Sequence, residues 1–151
     1  MNKQKRVLLV DDEVPVREAL ARLLTVENYA VISAANGGQA RRAASENPAD
    51  IALLDVNLQE ENGWELAQDL LAMHPALPIV MITAQPDQSL HPLAPNVGAV
   101  MLKPLELDLL LGKIAQLVSR SAETQPLELP LKRTNYFVYN CEGREKHHEV
   151  F

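Results

Sequence analysis

The chain has 151 residues, of which 47% are hydrophobic and 23% charged, and its formal net charge is -6 at pH 7. This length favours one domain with a full core plus an appendage over two ordinary domains, and the composition excludes disordered and fibrous classes. The acidic balance argues against broad nucleic-acid binding. A single cysteine, Cys141, excludes an intramolecular disulfide.

The first part of the chain alternates between strand-like and helix-like patterns. Arg6 to Val10 predicts a buried strand, and this run is too short for a signal-peptide core or a membrane span. Pro15 is suited to a first helical turn, and the apolar residues after it recur with helical spacing: Val16, Ala19, Leu20, Leu23 and Leu24. Ala30 to Ala34 predicts a second strand, followed by an Ala-rich helix from about Gln39 to Glu46.

The same alternation continues to the last helix. Further strands are predicted at Ile51–Asp55, Pro78–Thr83 and Val100–Leu102, and helices at Trp64–Met73 and Leu107–Val118. Strands that alternate with helices favour an α/β fold with a parallel sheet. The segment between the fourth and fifth strands carries Pro86, Pro92 and Pro95. Because a proline inside a helix costs about 3 kcal/mol or more, the fourth helix should be short or irregular.

The pattern changes after Arg120. We interpret residues 1–120 as one domain and residues 121–151 as a linker or C-terminal extension, since Pro126 and Pro130 interrupt the latter. Tyr136 to Tyr139 has the residue types of a strand, without a sign of what it pairs with.

Charged residues stand at the ends of three predicted strands. The first strand leads into Asp11-Asp12-Glu13, the third ends at Asp55, and the fifth leads into Lys103-Pro104. If these strands are parallel neighbours, the three aspartates and the lysine meet at the carboxyl edge of the sheet, where open α/β sheets bind ligands. The sequence therefore predicts a site for a cation and a phosphate group.

Together these residues resemble a response-regulator receiver domain, the CheY-like phosphoacceptor of two-component signalling. The resemblance extends from about Lys5 to Arg120 and rests on the following motifs: Val-Asp-Asp-Glu at 10–13, Leu-Leu-Asp at 53–55, Gly63, Thr83-Ala84 and Lys103-Pro104. It implies a three-layer (βα)5 doubly wound parallel sheet with the flavodoxin-like strand order 2-1-3-4-5.

The resemblance also implies the site residues. Asp55 is expected to be the phosphoacceptor, and Mg²⁺ is expected to bind at these groups: Asp11, Asp12, Asp55 and the backbone carbonyl of Asn57. Oxygen ligands with room for water suit Mg²⁺. Lys103 should neutralise charge on the phosphoryl group, Thr83 should act as the switch hydroxyl, and the Lys103–Pro104 peptide should be cis.

Two positions depart from the family's pattern. Gln59 stands where many receivers have proline, and Val100 stands where the family often has an aromatic switch residue. The interval between Thr83 and Lys103 is also shorter than expected. These departures concern the loop over the site and the fourth crossover.

By this resemblance the chain accepts a phosphoryl group from a sensor histidine kinase or phosphotransfer protein and changes its surface for a downstream protein target. Its chemistry would be limited to its own phosphorylation and dephosphorylation. We expect a cytoplasmic protein without membrane insertion or DNA binding within this chain. The sequence is compatible with a monomer or a homodimer. An alternative is a receiver-fold interaction module whose output does not depend on phosphorylation. A phosphohydrolase is disfavoured because Asp11-Asp12-Glu13 lacks the Asp-x-Asp pattern.

Overall fold

A seven-stranded sheet forms the centre of the computed structural model, which describes residues 4–123, 134–139 and 145–150. The strands follow the order β2-β1-β3-β4-β5-β6-β7. In chain order they are β1 (Arg6–Val10), β2 (Ala30–Ala34), β3 (Ile51–Asp55), β4 (Ile79–Thr83), β5 (Ala99–Leu102), β6 (Thr134–Tyr139) and β7 (Glu145–Val150). The predicted order 2-1-3-4-5 is confirmed, and two further strands extend the sheet beyond β5.

Helices cover both faces of the sheet and complete the three predicted layers. They are α1 (Val14–Val26), α2 (Gly37–Glu46), α3 (Gly63–Met73) and α4 (Leu107–Glu123). Neighbouring strands from β2 across to β6 are parallel, and β7 runs antiparallel to β6.

Alternating side chains of the strands build two separate cores. In β1, Leu8 and Val10 pack into the core beneath α2 and α3, whereas Val7 and Leu9 pack into the core beneath α1 and α4. This division follows from the two-residue period of a strand. Because both faces are covered, the central strands are apolar apart from residues at their ends.

Asparagine side chains define the starts of two helices. Asn36 Oδ1 accepts a hydrogen bond from Gln39 N at 2.9 Å, so α2 begins at Gly37, before the predicted start. Asn62 Oδ1 accepts from Trp64 N at 2.7 Å and caps α3. The second cap positions the loop between β3 and α3.

The crossover between β4 and β5 is irregular, as the prolines predict. It contains two short 3₁₀ helices, Pro86–Leu90 and Ala94–Asn96, in place of an α-helix. Trp64 of α3 stacks on His91 with ring centroids 4.2 Å apart and an interplanar angle of 3°. Trp64 Nε1 also donates a hydrogen bond to Gln88 Oε1 at 2.9 Å. These contacts fasten the crossover to α3.

The segment after α4 adds β6 in parallel beside β5, with Val138 opposite Val100. The strand-like run at Tyr136 to Tyr139 lies within β6. Cys141 lies outside the described residues. Among the helices that the structure describes, none has the length and apolar character needed to cross a bilayer.

Candidate functional site

Charged and hydroxyl side chains meet at the carboxyl edge of the central strands. Asp55 is the last residue of β3, Thr83 is the last residue of β4, and Lys103 follows β5. Asp11 and Asp12 follow β1, which pairs directly with β3. The strand order therefore places the predicted site residues together, because parallel neighbours end at the same edge.

Asp55 is a buried carboxylate with a fixed orientation. The residue is 3% exposed. Its Oδ1 accepts a hydrogen bond from Asn57 N at 2.9 Å, and its Oδ2 accepts one from Lys103 Nζ at 2.9 Å. These two bonds give the buried carboxylate a defined direction, as a nucleophile requires.

Four acidic residues form a compact cluster around Asp55. One carboxylate oxygen from each of Asp11, Asp12, Glu13 and Asp55 lies within 4.8 Å of the others. Asp11 is buried, Asp12 is half-buried and Glu13 is exposed. Such a concentration of hard oxygen donors favours Mg²⁺ or a similar cation.

Asp11 shows the electrostatic cost of this arrangement. Its Oδ1 accepts a hydrogen bond from Glu13 N at 2.8 Å. Burial nevertheless raises the pKa of the Asp11 carboxyl above its ordinary value, and the neighbouring charge of Asp55 adds to the increase. A cation at the cluster would relieve this repulsion.

Lys103 is the cationic counterpart of the cluster. Burial by itself lowers the pKa of the Lys103 ammonium, but the hydrogen bond to Asp55 and the charge of Asp11 raise that pKa above its ordinary value overall. The ammonium is therefore charged at neutral pH. The Lys103–Pro104 peptide bond is cis, as predicted.

Thr83 joins the site to the irregular crossover. Its side chain is fully buried, and Oγ1 accepts a hydrogen bond from Gln85 N at 3.0 Å. Its backbone carbonyl accepts from Lys103 N at 2.8 Å. A movement of Thr83 would thus displace the segments that follow β4 and β5, to which these two hydrogen bonds connect it.

Gly63 permits the loop after β3 to close against Asp55. A Cβ atom at this position would collide with the backbone carbonyl oxygen of Asp55 and would lie 2.8 Å from Val56 Cα. Gly63 N donates to Val56 O at 2.6 Å, and Asn57 bridges to Asn62. The close approach of the loop to Asp55 therefore explains sterically why the motif has glycine at position 63. The peptide of Asn57 borders the acidic cluster.

Sequence reasoning missed two features near the site. Glu13 joins the acidic cluster, a position that the run of three acids could have indicated. Arg41 bonds to Glu61 of the loop between β3 and α3, and no motif links these residues. The predicted roles of the individual site residues stay predictions, although their placement agrees with them.

The comparison with protein families identifies this arrangement. The family model for the response regulator receiver domain matches residues 7–115. The chain belongs to the response regulator receiver family. It is thus a receiver domain of two-component signalling with the CheY-like fold.

Relatives of known sequence agree with this assignment. The chain is 33% identical over 141 residues to the transcriptional regulatory protein KdpE of Mycobacterium tuberculosis, covering 92% of this chain and 62% of KdpE. It is 33% identical over 125 residues to the transcriptional regulatory protein GltR of Pseudomonas aeruginosa, covering 80% of this chain and 52% of GltR. The chain thus spans less than two thirds of these relatives' length.

Solved structures show the same fold. A CheY-like receiver domain protein from Methanospirillum hungatei superposes with a TM-score of 0.76 at 26% identity, covering 82% of this chain and 100% of that protein. The response regulator TrrA from Thermotoga maritima, solved in complex with Mg²⁺ and BeF, superposes with a TM-score of 0.71 at 27% identity, covering 76% of this chain and 99% of TrrA.

Proposed function

We propose that this receiver domain accepts a phosphoryl group on Asp55 from a sensor histidine kinase or phosphotransfer protein and then changes its surface for a downstream protein target. The observation that carries the proposal is the Asp55 carboxylate, buried at 3% exposure and bonded to Lys103 Nζ at 2.9 Å beside an acidic cluster. Membership of the response regulator family supports the same function.

The proposed chemistry is the transfer of a phosphoryl group from a donor to the Asp55 carboxylate. A carboxylate oxygen of Asp55 attacks phosphorus and forms an O–P bond, while the P–N bond of a phosphohistidine or the P–O bond of acetyl phosphate breaks. The electron pair of the broken bond leaves with the donor. The Lys103 ammonium, 2.9 Å from Asp55 Oδ2, reduces the repulsion between the carboxylate and the anionic phosphoryl group.

The oxygen donors at the site fit Mg²⁺. Asp11, Asp12, Asp55 and the backbone carbonyl of Asn57 would hold the ion, which leaves room for water and phosphoryl oxygens. When bound, the ion supplies positive charge that neutralises the transferring group. The TrrA structure in complex with Mg²⁺ and BeF supports such a site in this chain.

Thr83 is proposed to convert phosphorylation into movement. Its hydroxyl oxygen accepts from Gln85 N and can still donate its proton to a phosphoryl oxygen. That new bond would draw Thr83 and the start of the crossover toward Asp55. The response is a shift between two arrangements that the phosphoryl group binds unequally.

We place this receiver domain in the cytoplasm, where kinases use ATP, and we propose that it does not turn over an external substrate. Phosphorylation and hydrolysis of its own aspartate would be its only chemistry. The relatives that carry transcriptional names are longer than this chain, so DNA-directed output is not proposed for these residues.

Labelling with acetyl phosphate tests the proposed function. Parent, Asp55→Asn and Asp108→Asn proteins are incubated with and without Mg²⁺, and intact mass is recorded. Asp108 is an exposed acid in the first turn of α4, so its variant is a matched control. We expect one phosphoryl adduct in the parent and the control that requires Mg²⁺, and none in Asp55→Asn.

Absence of an adduct in the folded parent would contradict the proposal and favour a second function, an interaction module that works without phosphorylation. The buried Val100 and the 3₁₀ crossover are the observations that favour this alternative, because no aromatic switch residue stands at that place in β5. Hydrogen exchange at residues 84–102 that is identical before and after labelling would support it too.

A further inference from the structure

The loop between β3 and α3 is fastened at its base but has a polar tip. Asn57 N bonds to Asp55 Oδ1, and Gly63 N bonds to Val56 O, which closes the base. Gln59 and Glu60 at the tip are exposed. Leu58 of the loop is buried in the core beneath α2 and α3, and Glu61 is the acidic side chain that reaches from the loop to α2.

Arg41 of α2 forms a bidentate ion pair with Glu61. Arg41 Nη1 donates to Glu61 Oε1 at 2.9 Å, and Nη2 donates to Oε2 at 2.8 Å. Arg41 Nε donates to Asp69 Oδ2 of α3 at 2.9 Å. One guanidinium thus connects α2, the loop and α3, and its planar fork fixes the carboxylate's direction as well as its distance.

The ion pair is better protected than an ordinary surface pair. The side chain of Glu61 is 18% exposed and that of Arg41 is 34% exposed. The hydrogen bonds to Glu61 raise the pKa of the Arg41 guanidinium further above its ordinary value. The Arg41 guanidinium is therefore the charged partner of Glu61 throughout the pH range in which the protein is folded.

Gly37 makes the space that the ion pair occupies. A Cβ atom at Gly37 would collide with Glu61 Oε1, and it would lie 2.7 Å from Arg41 Nη1. At Gly38 the same atom would meet nothing closer than Asn36 Oδ1 at 3.4 Å, an ordinary contact. The first turn of α2 is thus open at the one position where the carboxylate lies.

We propose that Arg41 is a positioning residue that, through Glu61, holds the loop so that the carbonyl of Asn57 is presented to Mg²⁺. The inference rests on the proposed function, since it concerns the same cation site. In this chain Gln59 does not restrict the loop backbone as a proline would, and the Arg41–Glu61 pair restrains the loop from outside in addition to the buried Leu58.

Matched pairs of variants test the proposal. Glu61→Gln and Gly37→Ala remove or displace the carboxylate, whereas Asp69→Asn and Gly38→Ala alter the same guanidinium or the same helix without touching the loop. Two quantities are measured: hydrogen exchange of residues 57–62 without Mg²⁺, and the Mg²⁺ dissociation constant from the chemical shift of the Asn57 amide. Arg41→Lys, which keeps the charge but not the fork, is a further variant.

We expect Glu61→Gln, Gly37→Ala and Arg41→Lys to exchange faster in the loop and to bind Mg²⁺ about fivefold more weakly, the size of a good partly exposed ion pair. Asp69→Asn and Gly38→Ala should match the parent. Parent-like exchange and affinity in Glu61→Gln would overturn the proposal. If the parent binds no Mg²⁺ the proposed function fails, but the exchange data still decide whether the pair restrains the loop.

Discussion

Asp11 is a residue of the acidic cluster whose charged form is disfavoured by its surroundings. It is buried beside Asp55, and its raised pKa shows that the charged form is disfavoured without a cation. Carboxyl groups with a shifted pKa beside a cluster of acids are common at functional sites.

Replacement of Asp11 by asparagine should stabilise the metal-free protein. The amide oxygen can still accept from Glu13 N, while the charge that burial disfavours is removed, so we expect the free energy of unfolding to rise. Urea denaturation with a chelator measures this change, and Glu18→Gln is the control. With Mg²⁺ added, Asp11→Asn should gain less stability than the parent, and an equal gain would remove Asp11 from the metal site.

Thr83→Ala should separate phosphorylation from the response to it. Asp55 and Lys103 are untouched, so the adduct should form, but the lost hydroxyl contact contributes about 1.5–3 kcal/mol. To change the ratio of the active to the inactive arrangement from 1:99 to 99:1 needs about 5.5 kcal/mol, which is more than this one contact contributes. The conformational response of Thr83→Ala should therefore weaken without vanishing. Hydrogen exchange at residues 84–102 reports it, and Thr83→Ser should respond like the parent.

The site residues on strand ends were predictable because an apolar run followed by a charge identifies both the strand and its edge. Asp55 and Lys103 needed only the assumption of parallel strands. The Arg41–Glu61 pair had no such signal, since each residue reads as a solvated charge in its own element. Only the packing of α2 beside the loop brings them together.

At the scale of elements, the β4–β5 crossover is a region that tertiary contacts organise. Its prolines predicted the loss of an α-helix, and the two 3₁₀ helices confirm this. The contacts that hold it, the Trp64–His91 stack and the Trp64–Gln88 hydrogen bond, join residues far apart in the sequence. No local pattern could have predicted them.

His91 should make the stability of the crossover depend on pH. Its Nδ1 accepts from Leu93 N at 3.1 Å, and burial lowers the pKa of its imidazole. The unfolded chain therefore binds the proton at higher pH than the folded one, so stability is full above the unfolded pKa, near 6.5, and falls as pH drops through the folded pKa.

Urea unfolding at pH 7.5 and 5.5 measures this effect in the parent and in His91→Gln. The parent should lose more stability between the two pH values than the variant does. Comparison of the two proteins cancels the other titrating groups. The same loss of stability in both proteins would show that the titration of His91 does not affect the stability of the protein. Trp64 fluorescence offers a second readout, since the chain has one tryptophan.

At the scale of the molecule, β6 changes which part of the sheet is exposed. The sequence indicated a strand at Tyr136 to Tyr139 but not its partner, because strand pairing is a long-range choice that alternation cannot specify. In the structure Phe137 lies opposite Ala99 and Val138 opposite Val100. The boundary at residue 120 stays a prediction, and the family match ends at residue 115.

A proline in β6 should uncover β5. Val138→Pro removes a backbone donor from the ladder, so the amides of residues 99–101 should exchange faster than in the parent. Val138→Ala keeps the donor and serves as the control. Equal exchange of residues 99–101 in all three proteins would mean that β6 does not protect β5.

The outermost strand of the sheet, β7, consists of Glu145, Lys146, His147, His148, Glu149 and Val150. An edge strand offers unpaired amides and carbonyls to any other chain, and ionisable residues discourage that pairing. As an edge strand, the apolar β5 with Val100 and Met101 would pair more readily with another chain. Because β6 and β7 follow β5 in the sheet, this edge is a strand of mostly ionisable residues, which disfavours pairing with another chain.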